Sequence, residues 1–249
     1  MSPSTTEPPS NPIIYGNAYE AWKGFEAYLV SLLDEKRPTR VCELGAGASP
    51  FFPLAMATER GFRYTLLDIS AEELAKSPPG YDRRICDIAA PDLNLAPEYD
   101  FAFSRMLCEH VPNGAEFHKN VFSLLRPGGI AVHFLPTLFS LPFLINWLVP
   151  ERFSDALLAA ISPKFRERRG KFPAYYRWCR GPSPATLESF RRIGYNVLMY
   201  KGFFGHGYYM RFGPLFSIHW ALSKYLVNHP VPALTSYAWI TLQKPYSPA

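Results

Sequence analysis

Val41-Cys-Glu-Leu-Gly-Ala-Gly-Ala-Ser-Pro50 reads as the end of a buried strand, a glycine turn and the start of a helix. Glycine permits the sharp turn and lets a ligand approach the backbone. The helix that follows would offer free N–H groups to negative charge. On its own G-x-G is common in surface turns. It gains meaning from Asp68, 21 residues after Gly47 and at the end of the next strand, Tyr64-Thr-Leu-Leu-Asp68. A carboxylate there can accept both hydroxyls of a ribose.

The same rhythm extends on both sides. Upstream, Tyr15, Tyr19, Trp22, Phe25, Leu29, Leu32 and Leu33 recur at helical spacing and predict one helix over 15–33. Downstream, Ser70 to Lys76 predicts a helix capped by Ser70 and Glu73, and Arg84-Ile-Cys-Asp87 a third strand. Tyr99 to Ser104 is a fourth strand, Ala115 to Leu125 a helix, and Ile130 to Leu135 a fifth strand after Arg126-Pro-Gly-Gly129. Thr186 to Ile193 reads as a helix stopped by Gly194, and Tyr195 to Lys201 as a sixth strand. A helix near Leu215 to Val227 precedes a last strand, Thr235 to Gln243. Alternating strands and helices with short connections predict a parallel sheet with helices on both faces. Ligands of such sheets bind at the carboxyl ends of the strands, where Glu43, Asp68, Asp87 and Ser104 are expected.

The 249 residues are 48% hydrophobic and 19% charged, enough to build a core and exclude a disordered or fibrous protein. A net charge of +5 hides an asymmetry. Residues 1–137 carry 12 basic and 17 acidic side chains; residues 138–249 carry 14 and 4, with 23 of the 39 aromatics. An acidic first half and the lack of a recognition module make a nucleic-acid partner unexpected. Cys42, Cys86, Cys108 and Cys179 form no C-x-x-C pair, so neither a zinc site nor a disulfide framework is expected, and no metal. The opening MSPSTTEPPSNP is polar and proline-rich, unlike a secretory signal, so residues 1–14 read as a disordered tail and the protein as cytoplasmic. Ile130 to Val149 is mostly apolar, but His133, Pro136, Pro142 and Asn146 argue against a membrane span.

A dinucleotide fingerprint, G-x-G-x-x-G/A, would place Pro50 at its sixth position, where it fits poorly, and Glu43 is unusual within it. Taken together, Glu-Leu-Gly-Ala-Gly47, Leu-Leu-Asp68, Cys-Asp87-Ile88, Tyr99-Asp-Phe-Ala-Phe-Ser-Arg105-Met-Leu-Cys-Glu-His110-Val and Leu-Leu-Arg-Pro-Gly-Gly129 resemble a class I S-adenosylmethionine-dependent methyltransferase, nearest to the methyltransferase type 11 group. The resemblance covers about residues 38–136. It departs at Ser49, where many members have a third glycine. It implies an α/β fold: a seven-stranded, doubly wound, mostly parallel Rossmann-like sheet with an inserted antiparallel last strand. The expected organisation is one domain over 15–249, its core in 38–136 and 186–249, with helical and aromatic cap insertions at about 137–185 and 202–233. S-adenosyl-L-methionine is the implied cofactor. Glu43, Gly45, Ala46 and Gly47 would flank its methionine portion. Asp68, followed by Ile69, would hold the ribose. Asp87 and Ile88 would face the adenine, and Ser104 and Arg105 would line the cofactor beside the substrate.

Two histidines are candidates for the catalytic base: His110 after the fourth strand, for which a structural role is the stronger reading, and His206 in Gly205-His-Gly-Tyr-Tyr209, equally open to a structural one. His133, within the fifth strand, reads as a core residue. Lys164-Phe-Arg-Glu-Arg-Arg-Gly-Lys171 packs five cations into eight residues, and Phe172, Tyr175, Tyr176 and Trp178 follow. Such a segment suits a solvated loop, a pocket for an anionic substrate or a peripheral membrane contact beside Phe139, Phe143 and Trp147. The expectation is methyl transfer to a small-molecule or glycan-type hydroxyl. The rivals are a lipid or lipid-linked acceptor, and a module that binds the cofactor without catalysis.

Overall fold

The computed structural model describes residues 9–138, 173–207 and 213–246. Its centre is one sheet of eight strands: β1 (Ile13–Asn17), β2 (Arg40–Leu44), β3 (Arg63–Asp68), β4 (Asp82–Ile85), β5 (Tyr99–Arg105), β6 (Leu125–Pro136), β7 (Asn196–Phe204) and β8 (Tyr237–Gln243). Their order across the sheet is β1-β7-β8-β6-β5-β2-β3-β4. All neighbours are parallel except β8, which is antiparallel to both β6 and β7. The carboxyl ends of β2, β3, β5, β6 and β7 therefore share one edge.

Seven of these strands are those expected, within a few residues. The eighth, β1, overturns two expectations. Ile13 and Ile14, assigned to the tail, begin a strand that pairs with Tyr200 and Lys201 of β7. The single helix over 15–33 is instead the end of β1 followed by α1 (Ala18–Lys23) and α2 (Phe25–Lys36). The break has a local cause: the Asn17 side chain accepts the N–H groups of Tyr19 and Glu20, which starts a helix there. Tyr15 keeps its aromatic partner by stacking on Phe204, 5.5 Å away, instead of facing a helix interface.

Alternation along the strands sorts the core into two faces. One face carries Glu43, Phe103, Arg105, Phe134 and Trp239, in register across β2, β5, β6 and β8. α1 and α2 cover it: Trp239 Nε1 donates to Ala21 O at 3.2 Å, and the Phe25 ring lies 5.1 Å from Phe134. The other face carries Ser104 and His133 under α5 (Gly114–Leu124) and α6 (Pro184–Ile193). Phe117 and His118 of α5 lie 5.4 and 5.1 Å from His133, and Phe190 of α6 lies 4.9 Å from His118. Short helices α3 (Leu54–Arg60) and α4 (Ala71–Ala75) complete the first three crossovers, with Gly61 and Ser70 as the stop and cap expected. A last helix, α7 (Gly213–Asn228), links β7 to β8 and packs against β1 and β7.

Of the apolar stretch 130–149, the portion to Pro136 is strand β6, Thr137 and Leu138 are buried just beyond it, and 139–149 lie outside the described residues. Residues 139–172 of the expected cap insertion, the basic run 164–171 among them, also lie outside them. Among the described residues no helix is long and apolar enough to cross a membrane.

Candidate active site

The glycine turn follows β2 as expected. Gly45 (φ +71°) and Gly47 (φ +53°) adopt backbone that L side chains rarely accept. A Cβ at Gly45 would stand 2.7 Å from Leu107 Cδ1, so the loop after β5 closes directly on this turn. The Gly47 N–H donates to Asp68 Oδ2 at 2.9 Å, and the Ser70 N–H donates to Oδ1, also at 2.9 Å. Asp68 thus fixes the turn to the end of β3. Each carboxylate oxygen retains acceptor capacity for a ligand hydroxyl. Beside it Ile69 is 62% exposed, an apolar surface at the site's edge. Asp87 is exposed two residues beyond β4, with Oδ1 accepting the Ala89 N–H at 3.0 Å. Ala46 and Ile88 are buried under the turns that carry them, and the Ile88 carbonyl accepts from Asn120 Nδ2 at 2.9 Å. An apolar platform between two carboxylates and a glycine turn fits a nucleoside whose base is flat and whose ribose carries paired hydroxyls.

The side chains of Glu43 and Ser104, also expected at the site, are both buried. Glu43 is buried within β2, where its Oε2 accepts the Phe51 N–H at 2.9 Å and the Tyr64 hydroxyl. It ties the chain ahead of α3 to the sheet. Burial raises its carboxyl above the usual range, against the Phe51 and Tyr64 bonds and the nearby Arg105 charge. Ser104 is fully buried and points to the opposite face from Arg105, 2.8 Å from His133 Nδ1. Alternation along β5 decides this: one residue of shift reverses the face. Only the Ser104 backbone is near the strand end.

Arg105 does reach the site. Its guanidinium lies 4.7 Å over the Phe51 ring. It lines a cavity of about 300 Å³ with Trp22, Lys23, Phe25, Glu26, Phe51 and Phe134, between α1, α2 and the ends of β5 and β6. The sequence reading missed the part α1 plays here. The signal was the charge pair Lys23 and Glu26 beside Trp22, on what looked like an ordinary amphipathic helix.

Of the two candidate bases, His110 is the better placed. It lies in the turn Cys108–His110 just after β5 and is partly exposed. Its Nδ1 is 3.1 Å from the Pro173 carbonyl. A carbonyl only accepts, so the neutral ring carries its proton on Nδ1 and presents Nε2 as the acceptor. Glu109 Oε1 is 3.8 Å from that Nε2. Burial pushes the Glu109 carboxyl up to about 8, so below that pH the two are not an ion pair. His206 is buried after β7, with its ring 4.2 Å from His219 and its N–H donating to His219 Nε2 at 3.1 Å. Burial, followed by the neighbouring His219, lowers it to about 4, so it is uncharged at neutral pH. β7 is three strands from β5, about 14 Å at ordinary sheet spacing. The structure does not bring His206 to Arg105.

A Rossmann-like sheet, a glycine turn at its carboxyl edge and a strand-end aspartate bonded to that turn define a nucleoside-cofactor domain of the class I methyltransferase type. Residues 19–198 match the methyltransferase-domain family, and the chain belongs to it. No curated protein matches the chain in sequence. Among solved structures, an S-adenosylmethionine-dependent methyltransferase from Mesorhizobium loti is similar, with 18% identity and a TM-score of 0.51 over 87% of this chain and 96% of its own. Phosphoethanolamine N-methyltransferase 2 of Haemonchus contortus, in complex with S-adenosyl-L-methionine, is similar at 14% identity and a TM-score of 0.53 over 90% of this chain. That match spans only 53% of the Haemonchus chain. The [4+2]-cyclase SpnF is similar at 17% identity and a TM-score of 0.51, over 91% of this chain and 84% of its own. At these identities the likeness shows the fold. S-adenosylmethionine, the cofactor expected from the sequence, is the one these methyltransferase structures name.

Proposed function

We propose that this protein transfers the methyl group of S-adenosylmethionine to a small-molecule or glycan-type acceptor, at a hydroxyl, with the acceptor seated in the cavity beside Arg105. The supporting observation is continuity. The turn pinned to Asp68 and the cavity of about 300 Å³ meet at the ends of β2 and β5, through Phe51 and Arg105.

When bound, S-adenosylmethionine supplies an activated methyl group for direct displacement. Asp68 would accept the ribose hydroxyls, Ile69 would cover one face of the adenine and Asp87 would accept from its amine. The Gly45–Gly47 backbone would approach the methionine portion. Lys23 and Arg105 outnumber Glu26 at the cavity and favour an anionic acceptor. Phe25, Phe51 and Phe134 exclude water around it. Alignment supplies most of the rate in such a transfer. His110 Nε2 would take the proton that the acceptor hydroxyl gives up on methylation.

The test is a screen of hydroxylated acceptors, sugars and sugar phosphates among them, for release of S-adenosylhomocysteine. An active acceptor is expected to lose about a hundredfold in kcat with His110→Ala, cofactor affinity being retained. Undiminished turnover in that variant would remove His110 from the reaction. A second reading, an acceptor carried on a lipid, is favoured by one observation, the apolar outward face of α7, where Ile218, Leu222 and Tyr225 are exposed.

A further inference from the structure

The floor of the cavity beside Arg105 is a row of rings. Trp22 stands edge-on to Phe134 at 4.9 Å, Phe134 lies 5.1 Å from Phe25, and Phe25 meets Phe51 at 5.9 Å. The row ends under Arg105, whose guanidinium lies 4.7 Å over Phe51. Phe25 and Phe134 are buried and hold the outer two rings in place, while Trp22 stays 49% exposed. Among the described residues neither Lys23 nor Arg105 is ion-paired. Each sits over a ring instead, Lys23 at 4.6 Å from Tyr19 and Arg105 on Phe51.

This arrangement selects among hydroxyl-bearing acceptors. A guanidinium stacked on a ring keeps its fork of donors free for an oxyanion. A row of aromatic side chains favours a flat ring that can meet it by offset or edge contacts. A sugar fits less well. It carries a hydroxyl on nearly every carbon, and phenyl rings leave those hydroxyls desolvated without partners. Beyond the indole N–H of Trp22, the polar side chains at the cavity are Lys23, Glu26 and Arg105. Two cations and one carboxylate leave a single positive charge, which a carboxylate matches better than a doubly charged phosphate. At about 300 Å³ the cavity lies at the small end of ligand pockets, room for one or two rings.

We infer that this cavity seats a small aromatic acid, its ring along the row from Trp22 to Phe51 and its carboxylate on Arg105. The inference rests on the proposed function for the role of the cavity as acceptor seat, and narrows the acceptor to a phenolic carboxylate. Arg105 then sets specificity on the acceptor side, and Trp22 supplies the surface on which the ring settles.

The full chain, with S-adenosylhomocysteine in excess, is to be titrated calorimetrically with 2-, 3- and 4-hydroxybenzoate, with their methyl esters and with glucose 6-phosphate. At least one of the acids is expected to bind. Its ester, which keeps the ring and hydroxyl but not the charge, is expected to bind at least about tenfold more weakly, and the sugar phosphate more weakly than the acid. Arg105→Met should bring acid and ester to equal affinity, with S-adenosylmethionine affinity kept within about twofold. Trp22→Ala should weaken acid and ester alike. Both side chains are exposed, and the comparison of acid with ester in the wild type needs no variant. No binding of any of the three acids, equal binding of acid and ester by the wild type, or tighter binding of glucose 6-phosphate would overturn the inference. So would a loss of S-adenosylmethionine affinity in Arg105→Met as large as the loss for the acid, which would place Arg105 on the cofactor. Failure of the proposed function gives a different result: the acid binds with the expected selectivity, and no S-adenosylhomocysteine is released when S-adenosylmethionine is supplied. That outcome upholds the seat and contradicts methyl transfer to its occupant.

Discussion

Glu109 is the residue beside the candidate base whose charge state the fold controls most strongly. Its carboxyl is buried, Oε2 has no hydrogen-bond partner among the described residues, and burial lifts it from 4.5 to about 8. Between those values the folded protein holds a proton that the unfolded chain has released. The stability tied to Glu109 is therefore complete below pH 4.5 and falls as pH rises towards 8. Glu109→Gln removes this slope. Relative to wild type the variant should gain up to a few kcal/mol at about pH 8 and little at about pH 5, read from urea denaturation at the two pH values. Equal differences at both would contradict the assignment. His118 and His133, which burial holds below their ordinary range, lose stability in the acid direction instead. The difference between variant and wild type therefore isolates Glu109. Sequence-local signals made part of this site legible. Gly45, Gly47 and Asp68 could be read because the turn, the cap-like acceptor and the strand end depend on neighbours in the chain. The burial of Ser104 and Glu43 could not be read, since the face each side chain takes is set by strand register.

At the scale of elements the carboxyl-edge site depends on how α1 is anchored. Asn17 both ends β1 and caps α1, and α1 brings Trp22 and Lys23 to the cavity. Asn17→Ala should cost about 1 kcal/mol of stability by loss of the cap. It should raise the acceptor KM several-fold while leaving cofactor affinity unchanged, since α1 contributes Trp22 and Lys23 to the acceptor cavity. A calorimetric cofactor titration alongside steady-state kinetics separates the two effects; a change in cofactor affinity equal to that in KM would place α1 in the cofactor site as well. Strands β2, β3, β5 and β6 were legible because each carries a compact apolar run bounded by glycine, proline or acid, and β4 through Ile85-Cys86 ahead of Asp87. β1 was not, because its two isoleucines before Gly16 form a strand only through pairing with β7, which is about 180 residues away in the chain. Asn17 was the local sign of the break between strand and helix.

For the whole molecule, the charge asymmetry of the sequence has a partial structural counterpart. The acidic first half builds the strands that carry the glycine turn and Asp68, from β2 to β5. The basic second half supplies β7, β8 and α7, whose outward face is apolar and free of acid. The same fold hosts both methyltransferases and a cyclase among the similar structures. Fold alone therefore does not settle the reaction, and the cofactor has to be tested directly. The decisive measurement is calorimetric titration of the wild type and of Asp68→Ala with S-adenosylmethionine and with NADH. The expected result is saturable binding of S-adenosylmethionine by the wild type, weakened by about 1–3 kcal/mol in Asp68→Ala, and no binding of NADH. Binding of NADH without S-adenosylmethionine, or S-adenosylmethionine affinity indifferent to Asp68→Ala, would contradict it.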